Sequence, residues 1–423
     1  METELLFSRV LNKSPKLSEI VLKYISNEGL RLISASHCAP SLRIIKANVA
    51  INSLMSIQSL CLVCPCLRTL CLGNNEYDLD GDFIAHHVTQ YCTLIESMSI
   101  ERWTVTDAGL GALAAIHTLK QLKLSSIACS SAAIQRVLVA NRNLTLLVIM
   151  IASIADALVS CIGSCCRNLT RLELYSASAS DHTINKLSEN ALLRLFRGCP
   201  MLQSFTLSTP GRVDTTALRA LFKHCNHLTE LVIGLVGLPP ADELLPDIEP
   251  ILYTHYPSLS KLRMTGDVVI ESALRDIFTY CINLHEVNLT NYTHITDNTI
   301  KVMTQYCSMI EVLEISHCKS LTVTGILSVA TYCSNLKVLH LDTILMNDDI
   351  LIQLSLHCPC LTSLKLFYRY DGRLTVVGIR AVLQGCTGLT FLTIHSEIMP
   401  PLTLTAELMK LRQLYPHIIF DIC

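Results

Sequence analysis

Cys199-Pro-Met-Leu202-Gln-Ser-Phe205-Thr-Leu207 decides how the rest of the chain is read. Its large apolar residues are spaced three and then two apart, with a cysteine three residues ahead of the first. The same phrase stands at Cys64-Pro-Cys-Leu67-Arg-Thr-Leu70-Cys-Leu72 and opens again at Cys225, Cys281, Cys307, Cys333, Cys358 and Cys386. Looser copies begin at Leu17, Leu42, Ile95, Leu119, Leu144, Leu169 and Leu259, and a degenerate last one lies near Ile418. That makes about 16 units filling the chain from roughly residue 14 onward, with first leucines mostly 24 to 29 residues apart.

The end of the phrase alternates, so its last two apolar residues point one way and their neighbours the other, as in a short strand. The remainder of each unit carries helical spacing. Thr296-Asp297 stands ahead of Ile300, Met303 and Cys307, and Thr106-Asp107 ahead of Leu110, each a cap residue before an apolar stripe. Looser caps stand at Thr215-Thr216 and at Thr324-Gly325. Strand, helix and strand again at a fixed period give parallel strands on one side and returning helices on the other. Such crossovers wind right-handed. The bulkier helix side bends the coil into a horseshoe with the sheet on its concave face. The expected class is therefore α/β: a right-handed solenoid over residues 1–423, a single domain of about 16 repeats.

Composition agrees with a long aliphatic ladder. Half of the 423 residues are hydrophobic, yet only 5% are aromatic and 16% charged. No apolar run reaches the roughly 18–20 residues of a membrane span. A net charge of −2 offers no basic field for nucleic acid. The start, Met1-Glu2-Thr3-Glu4, puts acids where a signal peptide needs cations. Together with 20 cysteines, many at one repeat position, this predicts a reduced cytoplasmic or nuclear chain using cysteine as a small soft core residue.

The phrases Cys-x-x-Leu-x-x-Leu-x-Leu and Thr-Asp-x-x-Leu/Ile resemble the cysteine-containing leucine-rich repeats of F-box-LRR proteins and of their F-box-less relatives of the antagonist-of-mitotic-exit type. The likeness covers nearly the whole chain. The family places Cys or Asn three residues after the last strand leucine; Cys318 and Asn75 fit, while Ala50, Ile127 and Val236 depart. An F-box would precede the first repeat, yet Pro15-Lys16-Leu17-Ser18-Glu19-Ile20 already reads as a repeat, so none is expected. The resemblance implies a protein–protein interaction scaffold, the substrate-recognition module of an SCF-type ubiquitin ligase pathway, with ubiquitin-ligase subunits as further partners. The alternative is a ligand-sensing regulator whose rim loops close over a small molecule.

Enzymatic motifs are missing: there is no Gly-rich phosphate loop, no Gly-x-Ser-x-Gly elbow and no His-Glu-x-x-His. No catalytic residue and no cofactor is expected. Cys61, Cys64, Cys66 and Cys71 form the densest thiol group, with Cys165-Cys166 and Cys358-x-Cys360 behind it. Zinc sites pair such a half with a second one, which is absent, so no metal is expected. The sequons at Asn143, Asn168, Asn288 and Asn291 read as turns between helix and strand.

Function is expected on the outward strand positions, the two flanking the second leucine and the two after the third. Ser97, Ser99, Glu101 and Arg102 lead to Trp103, the only tryptophan. Leu146, Val148, Met150 and Ile151 form an apolar row; Leu147 and Ile149 are apolar too, so a one-residue slip would turn the whole row inward. Arg171, Glu173 and Tyr175 follow, then Glu230 and Val232, Lys261 and Arg263, His340 and Asp342, and finally Lys365, Phe367 and Tyr368. Arg, Trp, Tyr and Met are enriched at protein interfaces. The protein-binding residues are thus expected to be Trp103, Arg171, Tyr175, Lys261, Arg263, His340, Lys365, Phe367 and Tyr368. The cationic and aromatic C-terminal rows, with Lys261 and Lys365 about 20 Å apart, point to an acidic or phosphorylated protein client. Two stretched repeats, with loops at 175–186 and 237–246, and the Tyr/Arg-rich segment 367–373 are candidate rim contacts.

Overall fold

A computed structural model describes residues 2–50, 54–73, 80–101, 104–125, 129–176, 187–209, 211, 213–235, 251–252, 255–266, 268–342, 347–368, 373–396 and 402–422. Among them are sixteen strands and fifteen α-helices, alternating except between Glu230–Leu235 and Lys261–Thr265. The chain divides into two compact units, Met1–Pro210 with Lys223–Cys225, and Gly211–Phe222 with Asn226–Cys423.

The first unit holds β1 (Glu19–Ser26), β2 (Ile44–Ala50), β3 (Thr69–Gly73), β4 (Ser97–Glu101), β5 (Gln121–Ser125), β6 (Leu146–Ile151), β7 (Arg171–Ser176) and β8 (Ser204–Thr209). The second holds β9 (Glu230–Leu235), β10 (Lys261–Thr265), β11 (Glu286–Asn288), β12 (Val312–Ser316), β13 (Val338–Asp342), β14 (Ser363–Tyr368), β15 (Phe391–Ser396) and β16 (Ile419–Ile422). Within each unit the strands follow chain order, all parallel and open rather than closed on themselves.

Register explains why the phrase repeats. The second apolar residue of each unit pairs with its equivalent next door: Ile45, Leu70, Met98, Leu122, Leu147, Leu172 and Phe205 in the first unit. In the second unit the same rung reads Leu231, Leu262, Val287, Leu313, Leu339, Leu364, Leu392 and Phe420. All of these are buried. So are the first leucines from Leu42 to Ile418, whereas Leu17, at the outermost repeat, is only half-buried. Stacking like on like removes methyl groups from water along the length of each unit, which one repeat could not do alone.

Two polar ladders accompany the apolar one. Cys92, Cys199, Cys225, Cys307, Cys358 and Cys386 each follow a helix and point their thiols at carbonyls one repeat back. Cys199 Sγ lies 3.4 Å from Cys166 O, Cys225 Sγ 3.6 Å from Cys199 O, and Cys386 Sγ 3.4 Å from Cys358 O. The thiol is small enough for the close-packed seam and adds a second contact to a carbonyl that already accepts from the backbone amide three residues on, as Cys166 O does from Leu169 N. In one repeat Asn141 stands in the cysteine's place. Its Nδ2 donates to Ile116 O at 2.8 Å and its Oδ1 accepts from Leu119 N at 3.0 Å, all buried.

The second ladder explains the Thr-Asp dipeptide more fully than capping does. Thr106 Oγ1 caps its own helix by accepting from Ala108 N at 3.2 Å, but it also donates to Asp82 Oδ2, 2.5 Å away in the preceding repeat. Asp107 then accepts from Ser130 N and Oγ at 2.7 and 2.6 Å. Asp297 takes the amide and hydroxyl of Thr322, and Asp348 those of Thr375. These first-turn acids therefore grip the cap of the next helix. Gly109, Gly325 and Gly378 lie so close to these carboxylates that a Cβ would collide with them.

Three expected caps differ. The Thr296 hydroxyl does not cap its helix but donates to Glu271 at 2.6 Å. Helix Thr215–His224 is entered by Asp214, whose Oδ1 accepts from Thr216 N at 2.8 Å, while Thr215 turns inward. Helix Val323–Tyr332 is capped by Thr322 and not by Thr324. At the Asp214 helix a charged acceptor takes the place of the threonine hydroxyl.

Candidate protein-binding face

The outward side of the strands carries the expected rows, and they differ between the units. In the first, β6 keeps the register that its all-apolar sequence left open. Leu147 and Ile149 are fully buried, Leu146 and Val148 are half-buried outward, and Met150 is 40% exposed. Ile151 is the correction: it lies 2% exposed, because the second residue after the third leucine turns back toward the helices. Ser176 is buried for the same reason.

Next to this apolar row stands β7, where Leu146 pairs with Arg171, Val148 with Glu173 and Met150 with Tyr175. Arg171 and Tyr175 were expected on this face and are there. What the sequence did not reveal is that both converge on Glu173. Arg171 Nε is 3.0 Å from Glu173 Oε1, and Tyr175 donates its hydroxyl to Glu173 Oε2 at 3.1 Å. Burial, and then the Glu173 charge, push the Tyr175 phenol up to about 12, so it remains a hydrogen-bond donor at any physiological pH. On the other flank Ser125 Oγ lies 3.5 Å from Met150 Sδ. The result is an apolar strip bordered by a fixed arginine, carboxylate and phenol.

The outward side of the second unit is a chain of charges. Lys261 and Arg263 on β10 both reach Glu286 on β11, with Arg263 Nε 2.8 Å and Lys261 Nζ 3.4 Å from its carboxylate. Burial alone would raise Glu286, but the hydrogen bonds and charge of Arg263, aided by Lys261, hold it below the usual carboxylate range. Asn288 donates to Glu314, which lies 3.3 Å from His340 Nδ1. Desolvation, with the charge of Lys365 beside it, lowers His340 although Glu314 opposes this. Lys365 Nζ sits 4.8 Å from the Phe367 ring centroid, and Phe367 packs 5.1 Å from His395. Lys261, Arg263, His340, Lys365 and Phe367 thus share one face. Glu286, Glu314 and His395, which complete it, were missed because each is unremarkable in its own repeat and acquires its meaning only from cross-strand register.

Trp103 and the loops at 177–186 and 237–246 lie outside the described residues, as does 369–372. Tyr368 ends β14, and its side chain is likewise outside the description. The thiol group at 61–71 does not converge: Cys61 and Cys64 face the core, Cys66 is exposed, and Cys71 stands on the outward side of β3. Among the described residues no helix is long and apolar enough to cross a membrane, and no group of three or more His, Cys, Asp or Glu could hold a metal ion.

No family model matches the chain, and no curated protein does. Solved structures do. A chain of the yeast Rad7–Elc1 complex is 13% identical with a TM-score of 0.52, covering 89% of each chain. The fold is a leucine-rich-repeat solenoid. Also similar are a leucine-rich-repeat protein of Leptospira interrogans, 16% identical over 98% of each chain with a TM-score of 0.47, and the Drosophila Toll–Spatzle complex, 11% identical over 98% of this chain and 52% of that one with a TM-score of 0.44. At these identities the likeness concerns the solenoid, not what it holds.

Proposed function

We propose that this leucine-rich-repeat chain is a non-enzymatic scaffold that holds a protein client on the outward side of its strands, as the recognition module of a ubiquitin-ligase pathway. One observation carries the reading: Leu146, Val148 and Met150 form an apolar strip on an open sheet, beside an Arg171–Glu173–Tyr175 cluster already fixed in place. An apolar row on an open face costs solubility unless a partner covers it. Preorganised Arg and Tyr beside apolar surface are what an interface centre requires, since little side-chain entropy is then lost on binding.

The ligase setting rests on the resemblance to F-box-LRR repeats, and a cytosolic or nuclear location on the reduced, buried cysteines. The chain and a Val148→Glu, Met150→Glu double variant, each purified from cells, test it by quantitative mass spectrometry of what copurifies. A client lost from the variant, with ligase subunits retained by both, is the expected result. Identical partner sets would refute the role of the strip, and a client without ligase subunits would refute the pathway.

A further inference from the structure

Three cations, Lys261, Arg263 and Lys365, stand on the outward side of the second unit, and they are not equivalent. Lys261 and Arg263 share the Glu286 carboxylate, two cations on one acid, with the arginine held through both Nε and Nη2. For either to take a carboxylate from a partner it must first share or release Glu286, so much of the gain is lost. Lys365 pairs with no carboxylate among the described residues. Its ammonium instead lies against the face of Phe367, 4.8 Å from the ring centroid, and Phe367 is steadied by His395 at 5.1 Å.

We infer that Lys365, backed by Phe367 and His395, is the anchor for a single carboxylate of an acidic protein segment. This rests on the reading of the outward face as a binding surface, and it names where on the second unit the acid goes. A carboxylate arriving here meets the ammonium of a half-buried lysine with no acid to displace among the described residues, while its methylenes lie on the Phe367–His395 pair. His340, one strand away in register with Lys365, is held to Glu314 at 3.3 Å and kept below its usual pKa by burial and by Lys365. It therefore holds a proton less readily than a free imidazole, and Lys365 is the cation to be answered. Glu314 sets the valence: it stands across His340 and repels a phosphate dianion more than a carboxylate.

The test uses the full chain and a fluorescein-labelled octaglutamate peptide, with affinity read by anisotropy at low ionic strength. Lys365→Gln should weaken binding about fivefold, Lys365→Arg should keep it, and Lys261→Gln and Arg263→Gln should each change it by less than about twofold. An equal or larger loss on removing Lys261 or Arg263 would overturn the assignment, as would failure of octaglutamate to bind the unaltered chain. Tighter binding of a phosphoserine-containing peptide of the same length, lost with Lys365→Gln, would overturn the choice of carboxylate. None of these results bears on the β6 strip, so the anchor and the proposed function fail separately.

Discussion

The two units use one repeat grammar and present opposite surfaces. Inward, the rung at Leu172 in the first and the rung at Leu313 in the second are alike: both are fully buried leucines with large apolar residues on either side, Leu147 and Phe205 in one case and Val287 and Leu339 in the other. Outward, the equivalent positions carry an apolar strip in one case and linked acids and bases in the other. Because strand neighbours alternate in direction, a residue beside a core leucine is released from the core's demands. Stability is written on one parity of each strand, and recognition can be written on the other without disturbing it.

The largest expected effects test whether the inward parity is equivalent. Leu172→Ala and Leu313→Ala should each cost about 2–5 kcal/mol in chemical denaturation, through lost methyl burial and the cavity left behind. A loss under about 1 kcal/mol at either would show that its rung is not close-packed. The seam comes next. Asn141→Ala should cost about 1–3 kcal/mol because it strands the Leu119 amide and the Ile116 carbonyl. Asn141→Cys should cost less, since a thiol reaches the equivalent carbonyl in neighbouring repeats; an equal loss would break the analogy.

Thiol chemistry sharpens the same seam. Burial pushes the thiols of Cys225, Cys307, Cys333 and Cys358 up to about 12, with smaller additions from neighbouring cysteines at all but Cys333. A raised folded pKa favours the protonated form, so the stabilisation is complete below the unfolded value near 8.5 and is lost as pH climbs toward 12. Denaturation midpoints should therefore fall with pH above about 8.5. In the native state a thiol reagent should label exposed Cys66 and Cys360 long before these four. Comparable rates would place the repeat cysteines outside the core. The smallest effects belong to the outward parity: Arg263→Gln and Lys365→Gln should shift stability by less than about 0.5–1 kcal/mol, as charges on the solvent side of a sheet do.

The inward half was legible because spacing alone encodes it; the leucine register from Leu42 to Ile418 follows from counting. β6 is the exception: its all-apolar sequence left the direction open, and the pairing of Leu147 with Leu122 and Leu172 decides it. What stayed hidden needs two repeats at once. The acid that grips the next cap and Glu286 beneath two cations are polar side chains whose partners lie some 25 residues away. Cysteine and Asn141 look unrelated in sequence, yet both answer carbonyls at the same helix end.

The most direct test of the client-binding strip is a photo-crosslinking amino acid placed at Val148, with a control at Leu356, a 65% exposed residue on a helix of the second unit. In cells the probe at position 148 should give one discrete protein adduct that disappears when Met150→Glu is added, and position 356 should not give that adduct. The same adducts at both positions, or none at 148, would contradict the claim that this open strip is where the solenoid holds its client.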